Sequence, residues 1–227
     1  MIHSRMGIIR RRKRRGVVLV CVGKDSVGNE MRDLAMLLYN NKYISKWPIT
    51  IISDIQINGH TQVIKDYNGD WCGRIVKMSI NTLSPYDETL FLDVDIIITK
   101  PIDDIWNYLD NTDFALSIQN MAPHQYNSGV MLFRKSDAVD NLFKLWRSYW
   151  RGKYDQIALR QAIDSCNMRL SILPSIYNYM VQWDSYVKDL IKFAEANKII
   201  HVWNGCARGR VGLIKGYYKC IGQNRVT

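Results

Sequence analysis

The chain has 227 residues, 47% hydrophobic and 23% charged, a balance that lets a globular protein bury its own core without disulfide or metal staples. That length suits one α/β domain and is short for two. The formal charge of +10 points toward nucleic acid only until it is located. Arg5 and the run Arg10, Arg11, Arg12, Lys13, Arg14 and Arg15 supply seven positive charges, no acid occurs before Asp25, and the rest of the chain carries only +3. Residues 1–15 therefore read as a basic, flexible, solvated tail, residues 16–227 as a single domain, and nucleic acid is not the expected partner.

Residues 17–22 are apolar, rich in β-branched side chains and stopped by Gly23, which marks a buried strand. A signal sequence fits less well, because Lys24 and Asp25 follow with no small-residue cleavage site. Ser26 opens a helix with Met31, Leu34, Ala35, Leu37 and Leu38 on one face, and Pro48 introduces a strand over 49–52. A polar stretch with Gly59, Asn68 and Gly69 leads to a helix over 73–83, stopped by Pro85. Residues 89–99 read as one strand interrupted by two acids, and a short helix runs from 101 to 106. Strands are expected over 114–118 and 130–133, then helices over 138–150 and 155–166. A strand over 170–173, a helix over 185–196 and a strand over 198–202 complete the core, leaving 204–227 as loop rich in Gly, Lys and Arg. This alternation predicts a mainly parallel sheet covered on both faces. No stretch is long and apolar enough for a transmembrane segment. Five scattered cysteines, Cys21, Cys72, Cys166, Cys206 and Cys220, form no CxxC pair, so reduced thiols and a cytoplasmic location are expected.

The chemistry concentrates at Asp93 and Asp95, two acids inside an otherwise apolar run. Isolated buried charge is costly, so such acids must be paired, metal-bound or at a strand's exposed end. As residues i and i+2 of a strand they would project to one face. Two carboxylates that close raise one another's pKa, and a divalent cation removes the conflict. Oxygen ligands select a hard ion, Mg²⁺ or Mn²⁺. The bland alternative is a pair of strand-end acids capping a helix or answering Lys and Arg.

The segment Ser84-Pro85-Tyr86-Asp87-Glu88-Thr89-Leu90-Phe91-Leu92-Asp93-Val94-Asp95 resembles the approach to the DxD motif of nucleotide-sugar glycosyltransferases with the GT-A fold. Three further segments resemble that group in the expected order. They are Tyr126-Asn127-Ser128-Gly129 before an apolar strand, Tyr154-Asp155-Gln156, and Ile199-Ile200-His201-Val202-Trp203-Asn204-Gly205. Phosphatases of the haloacid-dehalogenase type also end an apolar strand in DxD. Their motif opens the domain, however, and no later acidic pair answers theirs here. A non-catalytic nucleotide- or nucleic-acid-binding module using the basic tail is the other alternative.

The resemblance implies an α/β, Rossmann-like GT-A fold and a metal on Asp93, Asp95 and His201 that bridges the donor's phosphates. It also implies Lys77 near the donor, Asp155 on the donor sugar and Gln156 near the anomeric carbon, a pair found in many retaining members. Gly129 would let a ligand approach the backbone, and Asn127 would offer a donor and an acceptor to sugar hydroxyls. Val22, Gly23 and Lys24 fit a base pocket by position, since ligands bind beyond the carboxyl ends of parallel strands. Where the group usually has a lysine on the diphosphate, this chain offers Arg208, Arg210 or Lys215. The implied partners are a UDP-sugar and a glycan or glycoprotein acceptor. The compact size is similar to bacterial or large-DNA-virus members, such as those of chloroviruses, and a viral source would place the protein in the host cytoplasm.

Overall fold

The computed structural model describes residues 13–23, 26–57, 61–63, 73–119, 122–152, 154–181, 185–202 and 207–222. Its centre is a seven-stranded sheet in the order β3-β2-β1-β4-β7-β6-β8. The strands are β1 (Arg15–Cys21), β2 (Ile49–Ser53), β3 (Thr61–Val63), β4 (Glu88–Leu92), β6 (Phe114–Gln119), β7 (Ala122–Arg134) and β8 (Leu170–Leu173). β3, β2, β1 and β4 pair in parallel, as do β6 and β8, while β7 runs antiparallel to β4 and β6. A smaller sheet joins β5 (Ile96–Ile98), β10 (Ile199–Val202) and β9 (Tyr179–Val181) in the order β5-β10-β9.

Two apolar clusters cover the large sheet, and the period-two alternation of strands sorts residues between them. Val17 and Leu19 face one cluster with Leu34 and Leu38 of α1 (Ser26–Tyr39); Val18 faces the other with Phe114, Phe133, Phe143 and Trp146. Phe143 and Trp146 belong to α4 (Asp137–Tyr149), which packs beside α5 (Asp155–Asp164). The first cluster continues into the small sheet through Ile96, Ile98, Ile199 and Val202.

Several boundaries depart from expectation. The stretch 89–99 is two strands in two sheets, because the backbone turns at Val94 and Asp95. The stretch 73–83 divides into α2 (Gly73–Lys77) and α3 (Ile80–Leu83). The short helix after Pro101 is a 3-10 helix, Asp103–Leu109. β3 and β9, three residues each, are too short to show a period in sequence.

The expected terminal loop contains a helix, α7 (Ala207–Cys220). Its glycines and cations mask an apolar face of Val211, Ile214, Tyr217 and Tyr218, buried against α1 and α6 (Val187–Ala196). Gly216 permits that approach, since a Cβ there would stand 2.9 Å from Val187 Cγ2.

The end of the basic run belongs to the fold. Arg15 opens β1, and Lys13 Nζ and Arg15 Nε each bond one oxygen of Glu88 at 2.9 Å, with Arg134 Nη2 3.8 Å from the first. Burial opposes the Glu88 charge, but these cations outweigh it and hold the carboxyl below its ordinary value of 4.5. A depressed native pKa stabilises the fold above the unfolded value and loses that contribution as pH falls through the native one. Glu88→Gln should therefore cost about 1–3 kcal/mol at pH 7. The deficit should shrink as pH drops below about 4.5, read from denaturant melts of both proteins.

Candidate active site

β4 delivers its last residue, Leu92, buried at the sheet centre, and Asp93 N still donates to Gly129 O at 2.8 Å. Two residues later the Asp95 carbonyl accepts Val202 N at 2.9 Å from β10. The chain is thus handed from the large sheet to the small one across Asp93-Val94-Asp95. The carboxylates converge because of this turn, and not as alternate positions of a single strand. His201 enters from β10, paired to Ile96, and its Nε2 lies 3.3 Å from Asp95 Oδ1. Ligand atoms of Asp93, Asp95 and His201 all lie within 4.8 Å of one another.

Cations already answer these acids. Lys77 Nζ, on α2, bonds both oxygens of Asp93 at 2.9 Å and lies 3.9 Å from Asp155 Oδ2. Arg210 Nη1, from α7, donates to Asp95 Oδ2 at 2.5 Å. Burial raises the Asp93 carboxyl, and the neighbouring Asp95 charge adds to the effect against the pull of Lys77. For Asp95 burial is outweighed by His201, Arg210 and Lys77, which hold it well below the usual carboxylate range. Burial likewise opposes charge on His201 and Lys77, yet the facing carboxylates raise both. One acid pushed up and its neighbour pulled down is the signature of two like charges sharing a small space. Two carboxylates and an imidazole converging on one point fit a divalent cation.

A second group of side chains adjoins the first through Lys77. Asp155 stands in the first turn of α5, where Ser128 Oγ donates to its Oδ2 at 3.0 Å and Arg74 Nε lies 3.8 Å from Oδ1. Trp146 Nε1 anchors the same turn by donating to the Asp155 carbonyl at 2.7 Å. Gln156 Oε1 accepts from Gln119 Nε2 at 2.8 Å.

The remaining expected residues divide. Val22 and Gly23 stand half-buried where β1 ends, beneath an Arg32–Asp54 pair that bonds the Gly23 carbonyl and amide. A Cβ at Gly28 would lie 2.0 Å from the Gly23 carbonyl oxygen, so the strand-to-helix corner needs glycine there. Val94 is buried in the turn. Lys24 and the Arg208 side chain lie outside the described residues. Lys215 is not brought to the acids: its Nζ pairs with Asp33 of α1 at 2.7 Å. Of the basic residues considered for the diphosphate, Arg210 is brought to the acids, where it joins Lys77.

Asn127 does not present its amide to the open site. It is fully buried, accepting from Gly129 N at 2.7 Å and donating to Met180 Sδ at 2.9 Å. Gly129 admits a close neighbour, but that neighbour is His201, whose ring would lie 2.4 Å from a Cβ at this position. Asn178, buried between Asn127 and His201, has no signature in the sequence, because a single polar residue between short elements carries no periodic signal.

No family model matches the chain, and no curated protein does. Solved structures do. A glycosyltransferase involved in glycosylation of the major capsid of PBCV-1 superposes with TM-score 0.57 at 12% identity, covering 88% of this chain and 98% of that one. The galactosyltransferase LgtC, solved with donor and acceptor sugar analogs, gives 0.56 at 12% identity over 88% and 95%. The glycosyltransferase GlyE of Streptococcus pneumoniae TIGR4 gives 0.57 at 18% identity, over 89% of this chain and 60% of that one. This chain has the GT-A fold. In GT-A terms the acidic turn lies at the carboxyl end of β4, beside the parallel β1, where an open α/β sheet receives its ligands. Among the described residues no helix is long and apolar enough to cross a membrane.

Gly129→Ala tests the construction of this site. The added methyl must displace the His201 ring, an effect that denaturant melts read out. Stability should drop by about 1–3 kcal/mol from overpacking.

Proposed function

We propose that the protein is a metal-dependent glycosyltransferase that moves a sugar from a nucleotide diphosphate donor, a UDP-sugar, to a hydroxyl of a glycan or glycoprotein, with retention of configuration. The observation that carries this reading is the convergence of Asp93, Asp95 and His201 within 4.8 Å, at the carboxyl end of a GT-A sheet.

Asp93, Asp95 and His201 would hold Mn²⁺ or Mg²⁺, whose Lewis acidity stabilises a departing diphosphate. Arg210 completes the positive end of the site. Its buried Nε has no hydrogen-bond partner among the described residues, and a phosphate oxygen would supply one. On donor binding the guanidinium exchanges Asp95 for phosphate, freeing that carboxylate's second oxygen. Lys77 remains between Asp93 and Asp155, offsetting both acids. Asp155, held by Ser128 and Arg74, accepts hydroxyls of the donor sugar, and the Gln156 amide stands at the anomeric side.

Gln156 also lines a cleft of about 470 Å³ with Gln125, Tyr126, Tyr154, Ile157 and Arg160. Tyr154 is 71% exposed, and its flat apolar ring beside side-chain amides makes a combination that suits a pyranose. The acceptor sugar lies here, with its hydroxyl directed at Gln156.

Asp95→Asn should lower both donor hydrolysis and transfer by about two orders of magnitude or more while circular dichroism stays unchanged. Full activity in that variant removes the metal from the reaction. UDP and Mn²⁺ together should raise the melting temperature above the sum of their separate effects. Tyr154→Ala should raise the acceptor KM and leave donor hydrolysis intact. Product NMR reports the anomeric configuration, and an inverted product refutes retention.

A further inference from the structure

The hydrogen bonds behind His201 run in one direction only, and that direction determines which ring nitrogen faces the acids. One group among them cannot be reversed, the backbone N–H of Gly129. It points at the side chain of Asn127 at 2.7 Å, so the Asn127 atom there must be the carbonyl oxygen. The same oxygen meets the Asn178 amide at 2.8 Å, and two acceptors cannot face each other, so Asn178 presents its NH₂ group. The second hydrogen of that NH₂ goes to Ser117 Oγ at 2.8 Å. The Asn178 carbonyl oxygen is then forced toward His201, 3.1 Å from Nδ1. An oxygen at that distance requires a proton on Nδ1.

We infer that Asn127 and Asn178 are positioning residues that lock His201 with its proton on Nδ1, so that Nε2 is the nitrogen offered to a divalent cation. Asn127, Ser128, Asn178 and Ser117 are essentially inaccessible, and the side chains of Ser117, Asn127 and Asn178 bond directly to one another. The glycine at 129 serves the same end, because the His201 ring rests directly over it. The relay fixes the ring from behind, Gly129 fixes it from the side, and Nε2 projects to Asp95. Ring nitrogens that carry a metal generally have the other nitrogen tied to an acceptor in this manner. The amide–small–glycine segment thus acts on a cation through His201, where contact with a sugar hydroxyl would need an exposed amide.

This inference rests on the proposed metal site, but its first test needs no turnover. Long-range ¹H–¹⁵N spectra of the full-length protein, recorded with and without Mg²⁺, distinguish the imidazole nitrogens of His201. Nδ1 should carry a proton in both states, and the Nε2 signal should shift when Mg²⁺ is present. A bare Nδ1 beside a protonated Nε2 overturns the relay. Two substitutions of similar size separate positioning from packing. Asn127→Asp keeps both acceptor bonds, gives up the contact with Met180 Sδ, and should retain the Nδ1 proton and a Mn²⁺ affinity no weaker than that of the unaltered protein. Asn178→Leu removes the oxygen facing Nδ1 and should weaken Mn²⁺ roughly 10–100-fold, with mixed ring tautomers. Equal affinities in the two variants, both folded by circular dichroism, refute the role. Should the unaltered protein bind no Mn²⁺, the proposed metal site fails, while the metal-free spectrum still decides the tautomer.

Discussion

Two carboxylates held at the junction of two sheets are the constraint around which this molecule is arranged. Asp93 and Asp95 cannot move apart, because the backbone of each is bonded to a different strand, Gly129 on β7 and Val202 on β10. Their repulsion must be answered locally, and the structure answers it from three directions. Lys77 comes from α2, Arg210 from α7 and His201 from β10. Elements far apart in sequence are therefore tied to one electrostatic centre, which couples the assembly of the small sheet to that of the large one.

The same arrangement explains the single antiparallel member of the large sheet among the described strands. β7 pairs with β4 through Leu92↔Val130, which sets Gly129 directly beside Asp93. Register shifts between β6 and β7 occur near Ser117, where the sheet ladder gives way to Asn127 and its buried contacts. Irregularity there is what turns side chains from sheet pairing to support of the acidic centre.

The acids were legible in the sequence because charge inside an apolar run is an anomaly that demands a partner. The apolar pattern likewise carried most strands of the large sheet, with β1 and β2 shifted by one or two residues; β7, however, starts at Ala122, well before the expected 130, because the polar stretch from there to Gly129 shows no apolar run, and β3 was not foreseen. The reason for the acids' proximity was not legible: a turn between two apolar strands looks the same as one continuous strand. Nor was α7, whose Gly, Lys and Arg content hides an apolar face visible only once α1 and α6 stand against it. Arg210 and Lys215 share that helix, and only three-dimensional placement separates the cation at the acids from the one paired with Asp33. Asn178 had no local signature, since its role arises from partners at 117, 127 and 201.

The missing side chain at Gly216 has a reach beyond its own neighbourhood. It lets α7 lie close to Val187, and the same rigid helix carries Arg210 into the acidic turn. Helix seating and guanidinium placement are thereby mechanically linked. A bulkier residue at 216 would lever the whole cylinder outward and retract a cation from a pocket it never touches.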